Sequence, residues 1–184
     1  MDSEEQLISA AKADKTEFVK LYDKYFKQIY KFLLTRVADV QLAEDLTSDT
    51  FIIALEKIDS FEYQGKPFSS WLYRVAINEL NKHYRAARSE QEVMIRKWHE
   101  EGDKLEAADI ELLEGESEQE KLQNLKVMND GIRKLKQEDQ DILSLKYFEN
   151  LSYQEIAEIL GITVTNVGVK LMRATERLSK TCNF

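Results

Sequence analysis

The stretch that decides the fold is "SYQEIAEILGITVTNVGVKLMRATERL", Ser152 to Leu178. A small residue, Ala157, stands where two helices would have to cross closely, and Gly161 follows four residues later where the chain must turn. Ile156, Leu160, Ile162, Val167 and Leu171 occupy the positions that would pack the two helices together. A turn glycine at this spacing is the pattern of a helix-turn-helix, in which the second helix enters the DNA major groove. An ordinary helical hairpin meets part of the same description, but glycine and spacing together favour the DNA-reading form.

If Val167 and Leu171 face inward, a step of about 100 degrees per residue turns Thr165, Asn166, Val169, Arg173 and Arg177 outward. An Arg on a guanine edge or an Asn on an adenine edge supplies about 1–3 kcal/mol of discrimination, while Lys170, Arg177 and Lys180 suit phosphates equally well. A solvated helix face around Glu176 is the plainer account of Arg173 and Arg177. Gly168 lies to the side of this face and costs roughly 1 kcal/mol of helix propensity relative to Ala. It either admits a sugar-phosphate backbone closely or marks a tolerant position.

A DNA reader sits oddly in a chain of formal net charge -8. The imbalance, however, is local. Between His99 and Lys121 there are ten acids against two bases, so this segment alone carries a net of -8. The rest of the chain is neutral overall, and fields decay within a Debye length of about 10 Å at moderate salt. "HEEGDKLEAADIELLEGESEQE" therefore reads as a self-repelling linker, with a short helix near Leu105 to Leu113. As a flexible coil its span is about 26 Å, enough to separate two domains.

Upstream, Phe18, Leu21, Tyr22, Tyr25, Phe26, Ile29, Tyr30, Leu33 and Val37 recur at three- and four-residue steps and predict an aromatic core helix. A second helix is expected after "ADVQ", to about Ile58. On it Asp45, Ser48, Asp49, Ile52 and Glu56 share one face, opposite Ala43, Leu46, Thr50, Phe51, Ile53, Ala54 and Ile58. Acids around a lone Ile suit a protein partner, although single exposed apolar residues are common.

"DSFEYQGKPF" interrupts the helices, and Ser69 or Ser70 is positioned to cap a third. On that helix Arg74, Asn78, Asn81, Arg85 and Arg88 form one stripe of donors with Lys82 beside it, opposite Leu72, Tyr73, Ala76, Ile77, Leu80 and Tyr84. Such a stripe fits a nucleic-acid backbone and base edges; a solvated basic face fits it as well. The preceding loop holds Phe61, Tyr63, Phe68 and Trp71. Stacking on unpaired bases is one use for them, and pinning the loop to the core is the better account of Phe61 and Phe68. After the linker, periodicity resumes from Leu125, with Val127, Ile132 and Leu135 in one helix and Ile142, Leu143 and Leu145 to Phe148 in the next.

One Pro, six Gly and abundant Leu, Lys and Glu point to an all-α chain of two small helical domains, an N-terminal bundle and a C-terminal helix-turn-helix domain, joined by the acidic linker. The boundaries fall at 1–98, 99–121 and 122–184. Cys182 is the single cysteine and His83 and His99 the two histidines, so no metal is expected. Lacking a nucleophile-base pair or a phosphate-cradling glycine loop, the sequence implies neither an enzyme nor a cofactor. The acidic N-terminus and the lack of a run of about 18 apolar residues predict a cytoplasmic protein without membrane insertion.

"AEDLTSDTFIIAL", the aromatic loop, "FSSWLYRVAINELNKHYR", the linker and "LSYQEIAEILGITVTNVGVKLMRATERL", in this order, closely resemble a bacterial sigma factor of the extracytoplasmic-function group. Region two would span about Phe18 to Arg88 and region four about Leu125 to Lys180. The resemblance implies a promoter-specificity subunit that binds core RNA polymerase and promoter DNA, with room for an anti-sigma factor that holds it inactive. By it, Asp45, Ser48, Asp49 and Ile52 dock to the polymerase clamp. Tyr63, Trp71, Arg74, Asn78, Asn81, Arg85 and Arg88 meet the melted promoter element. Thr165, Asn166, Val169, Lys170, Arg173 and Arg177 meet the duplex element, and the linker passes through polymerase channels. Ser48 and Asp49 depart from the family's usual Gln and Glu, Gly168 from a basic residue, and Val169 from a small hydroxyl residue. The competing readings are a stand-alone helix-turn-helix regulator, which leaves the aromatic loop and the Arg74 to Arg88 stripe without a role, and an adaptor that binds only proteins.

Overall fold

The computed structural model describes the backbone of residues 3–98 and 131–182 and the side chains of residues 3–87 and 131–181. The expected linker at 99–121, its short helix near Leu105, and Leu125 and Val127 lie outside the described residues. All regular structure within them is helical: α1 (Glu4–Ala13), α2 (Phe18–Val37), α3 (Val40–Lys57), α4 (Phe68–Trp98), α5 (Gln137–Leu143), α6 (Tyr153–Leu160) and α7 (Val164–Cys182). Fold class and the two helical units agree with the sequence reading.

The N-terminal unit is built around α2. Its Phe18, Leu21, Tyr25, Ile29, Phe32 and Leu33 are buried, as the periodicity requires, against α3 and α4. The α2–α3 seam is aromatic, with Phe51 of α3 in edge contact with Phe18 and Tyr22 at centroid separations of 6.5 and 4.9 Å. Edge-to-face pairs of this kind add about 0.5–1.5 kcal/mol to area burial. Ala38, in the left-handed conformation at φ 50, ends α2, and the Asp39 side chain accepts from the Leu42 amide to start α3. The second helix thus begins at Val40, two residues earlier than expected, because a carboxylate already caps it there.

Two further differences from the sequence reading meet at Glu4. Helix α1 was not anticipated. A Ser3–Gln6 capping box starts it, and it presents only Ile8 and Ala11 to the core, too narrow a stripe to announce itself. It is held instead by Glu4, whose carboxylate accepts from the Tyr25 hydroxyl and, at 3.0 Å, from the Phe68 amide. That amide is one of the unpartnered donors at the start of α4, so Glu4 rather than Ser69 or Ser70 serves that end. Ser70 is buried, and its amide donates to the Pro67 carbonyl at 3.0 Å.

In the C-terminal unit α5 runs into a π-helical turn, Ser144–Phe148, and α6 and α7 pack at the helix-turn-helix. Ile142, Leu143, Leu145, Ile156, Val167, Leu171 and Ala174 close its core. The two units are not separate bodies. Helix α6 packs on α4, and the π turn touches α2, so the core is continuous.

Candidate polymerase and nucleic-acid interfaces

On α3, Asp45, Ser48, Asp49 and Ile52 are all exposed and Glu56 joins them. The helix holds that face rigidly because its opposite side is fully used: Ala43, Leu46, Phe51 and Ala54 are buried, and the buried Thr47 and Thr50 hydroxyls donate to the Ala43 and Leu46 carbonyls at 2.6 and 2.7 Å. Ile52 is 54% exposed among carboxylates, and Ser48 donates to its own helix at the Glu44 carbonyl, 2.9 Å away. The face is therefore acidic with one apolar knob.

The aromatic loop is largely folded inward. Phe68 is fully buried, and the Phe61 and Trp71 rings lie 4.8 Å apart, with Phe68 and Trp71 at 5.3 Å. Phe61 and Phe68 pin the loop, as expected; Trp71 is half-buried in the same cluster, and Tyr63 is half-buried beside it. Gly65, with φ +72, makes the turn between them. A hollow of about 360 Å³ lies against Trp71, Gln64, Lys66 and Arg74.

Along α4 the expected stripe divides. Asn78 and Arg85 are exposed, with the Arg85 Nε donating to the Asn81 carbonyl at 3.2 Å. Arg88 has its side chain outside the described residues. Arg74 and Asn81 are already committed to the C-terminal unit. The Arg74 guanidinium donates to the Glu158 and Ile159 carbonyls, where the last carbonyls of α6 carry the negative end of its dipole. The Asn81 side chain lies beside Asp141 and pulls its carboxyl down, while its own Oδ1 is buried without a partner among the described residues.

These contacts belong to a wider seam between the units. Arg36 and Asp141, both buried, pair at 2.5 Å, and Arg36 reaches Gln140 at 3.4 Å. Tyr73 donates to Glu149 and accepts from Gln28 at 2.9 Å. Burial pushes the Asp141 carboxyl up against the opposing pull of Arg36, and pushes Glu149 up against the hydrogen bond from Tyr73. The Tyr73 hydroxyl is likewise raised by burial and by Glu149. Sequence reasoning missed this seam. Its one signal was Arg36 itself, a cation three residues after Leu33 on an otherwise apolar stripe.

The helix-turn-helix is built as the glycine required. Gly161 takes φ 65 at the end of α6, its amide donating to Glu158 and the Ile162 amide to Ala157 at 2.9 Å, which is the Schellman closure. Thr163 then accepts from the Asn166 amide at 3.2 Å to start α7. Val167 and Leu171 face inward, leaving Thr165, Asn166, Val169 and Arg173 exposed. Two cations on this helix are braced from behind: Lys170 pairs with Glu138 at 2.8 Å, and Arg177 donates two bonds to the buried Asp139 at 2.7 and 2.6 Å. That carboxylate raises Arg177 above its ordinary value. Gly168 sits opposite Tyr153, whose ring edge would lie 3.7 Å from a Cβ. The glycine thus faces the α6–α7 crossing rather than a groove.

An acidic helix face, a donor-bearing helix behind an aromatic loop and a helix-turn-helix now stand on one chain. The "Sigma-70 region 2" family model matches residues 21–90, and "Sigma-70, region 4" matches residues 128–178. The RNA polymerase sigma factor YlaC of Bacillus subtilis is 32% identical over 160 residues, 87% of this chain and 88% of YlaC. The ECF RNA polymerase sigma factor SigW of Bacillus subtilis is 31% identical over 92% of this chain and 90% of SigW. The chain belongs to the extracytoplasmic-function group of RNA polymerase sigma factors. BldN of Streptomyces coelicolor is 32% identical over 95% of this sigma factor, which spans 64% of BldN. In fold, this sigma factor resembles CnrH, solved with the cytosolic domain of CnrY, at TM-score 0.67, 20% identity and coverage of 96% and 95% of the two chains. RpoE of Bartonella quintana, solved with NepR, gives TM-score 0.67 at 23% identity, covering 91% of this sigma factor and 97% of RpoE.

As a member of this group the protein is a promoter-specificity subunit of RNA polymerase and carries no catalytic site of its own. No helix among the described residues is long and apolar enough to cross a membrane.

Proposed function

We propose that the 1–98 unit docks on core polymerase through Asp45, Ser48, Asp49 and Ile52 and meets the melted promoter element through Tyr63, Trp71, Arg74, Asn78, Asn81, Arg85 and Arg88. The 122–184 unit meets the duplex element through Thr165, Asn166, Val169, Lys170, Arg173 and Arg177, and residues 99–121 thread polymerase channels between them. The observation that carries this reading is the separation of charge on one rigid bundle: an acidic face on α3 and exposed amide and cationic donors on α4. Each contact is weak alone, and tethering raises their effective concentration for one another.

The reading gives unequal work to its members. Lys170 and Arg177 are tied to Glu138 and Asp139, so they act first by fixing the pose of α7, and their charge reaches phosphates from a braced position. Arg74 and Asn81 serve the melted element only after the two units part, because α6 and Asp141 hold them in the docked form. The protein acts in the cytoplasm, where polymerase and promoter are. An anti-sigma factor is a further partner on this reading, supported by the fold shared with CnrH and RpoE, which were solved with CnrY and NepR.

A pull-down of core RNA polymerase tests the reading, run with the intact protein beside the Asp45→Arg, Asp49→Arg variant. Capture by the wild type and loss in the variant is expected. Capture undiminished by both substitutions would remove α3 as the docking face, and no capture by either would favour the stand-alone regulator.

A further inference from the structure

The exposed side of α7 is more apolar than a surface that only meets phosphates would be. Val169 is 38% exposed and Met172 64%, and Thr165 lies one turn before Val169 on the same line. These three residues, spaced by four and three, make a continuous ridge of methyl groups along the helix. Nothing among the described residues covers it: Val167, Leu171 and Ala174 already fill the core on the other side.

What should cover the ridge follows from its surroundings. The thirteen residues from Thr163 to Thr175 contain no acid and two cations, in a chain where acids outnumber bases 34 to 26. Lys170, to one side, is paired with Glu138, so Arg173 supplies the net positive charge beside the ridge, where it and Asn166 are exposed. The N-terminal turns of the helix also carry the positive end of its dipole. An apolar ridge set in a positive field suits an anionic partner that offers its own methyl groups, and the major groove does so at each thymine, whose C5 methyl contacts apolar side chains.

Resting on the duplex-binding role proposed above, we infer that Thr165, Val169 and Met172 read thymine methyl groups in the major groove, with Asn166 and Arg173 supplying the hydrogen bonds beside them. Packing makes this discriminating, because a helix with Val167, Leu171 and Ala174 buried in the core cannot roll to bring polar groups forward instead. The upstream element that this sigma factor prefers therefore contains thymines on the strand facing the ridge, and a methyl there is worth roughly fourfold in affinity, the equivalent of one buried methylene.

The test uses the full chain assembled with core polymerase. A pool of duplex promoters randomised in the upstream element is selected for binding, and the enriched duplex is resynthesised with each thymine in turn replaced by deoxyuridine, which removes only the C5 methyl. Loss of about fourfold is expected at one or two thymines. Val169→Ala and Met172→Ala, both at exposed positions, should bind the parent duplex less well and lose their sensitivity to the same deoxyuridine replacements. The inference is overturned if no deoxyuridine position matters to the wild type, or if the variants keep the full wild-type sensitivity. Failure of the pool to enrich any upstream sequence overturns the duplex-binding role itself, and this proposal with it.

Discussion

Arg36 of α2 and Asp141 of α5 lie 105 residues apart in sequence and 2.5 Å apart in space, both removed from solvent, and they join the two units of the protein. Breaking a buried pair by removing one member leaves the other charge uncompensated and costs about 3–5 kcal/mol, whereas replacing both with apolar residues is often nearly neutral. Asp141→Ala should therefore open the docked form, and Arg36→Met with Asp141→Leu should restore much of it. The native Cys182 and an added Ser9→Cys carry dyes for energy transfer between α7 and α1; unchanged transfer in Asp141→Ala would show that the pair does not hold the units together. The opened variant also frees Arg74 and should bind single-stranded promoter DNA more tightly than wild type in the absence of polymerase.

The same seam sets a pH dependence. Glu149, beside Tyr73 and Lys31, is raised by burial when the units are docked. In the open form it returns to the ordinary carboxylate range. A carboxyl whose pKa is higher in the docked form takes up protons on docking, so docking strengthens as pH falls from neutral through the raised value. The gain levels off below about pH 4, where the exposed carboxyl is protonated too. Energy transfer between the two dyes should rise on mild acidification; a fall would mean that the charged Arg36–Asp141 pair outweighs burial.

Arg173 and Arg177 share a helix and a charge but differ in what they touch. Arg177 donates two bonds to the buried Asp139, and Arg173 has no ion-pair partner among the described residues. Replacing Arg177 with Ala leaves a buried acid short of its donors and should lower the melting temperature. Replacing Arg173 with Ala should leave it unchanged and weaken only duplex binding. Equal melting temperatures for the two variants would remove the bracing role given to Arg177.

Two glycines in the helix-turn-helix should respond oppositely to alanine. Gly161 holds φ +65 with open space around it, so Gly161→Ala costs backbone strain of about 1–2 kcal/mol and no clash. Gly168 is helical, and a Cβ there meets only the Tyr153 ring at 3.7 Å, an ordinary contact. Gly168→Ala should stabilise the domain by up to about 1 kcal/mol, read from denaturant midpoints at constant slope. It should also leave duplex binding intact, since the residue faces α6.

Periodicity and turn chemistry are local, and so the sequence by itself was enough for α2 to α4, the Gly161 turn, the inward set Val167 and Leu171 and the outward set Thr165, Asn166, Val169 and Arg173. Each depends on residues within one or two helical turns. Helix α1 escaped because its anchor, Glu4 on the Phe68 amide, spans 64 residues. Which outward cations are free was equally beyond a local reading: Lys170 and Arg177 answer to Glu138 and Asp139 on another helix, and Arg74 to the carbonyls of α6. The docking of the two units was decided by tertiary structure alone, because Arg36 and Tyr73 find Asp141 and Glu149 only once both bundles are folded. A helical pattern records which side of a helix is apolar; which distant charge a buried cation will meet depends on how whole helices pack in three dimensions.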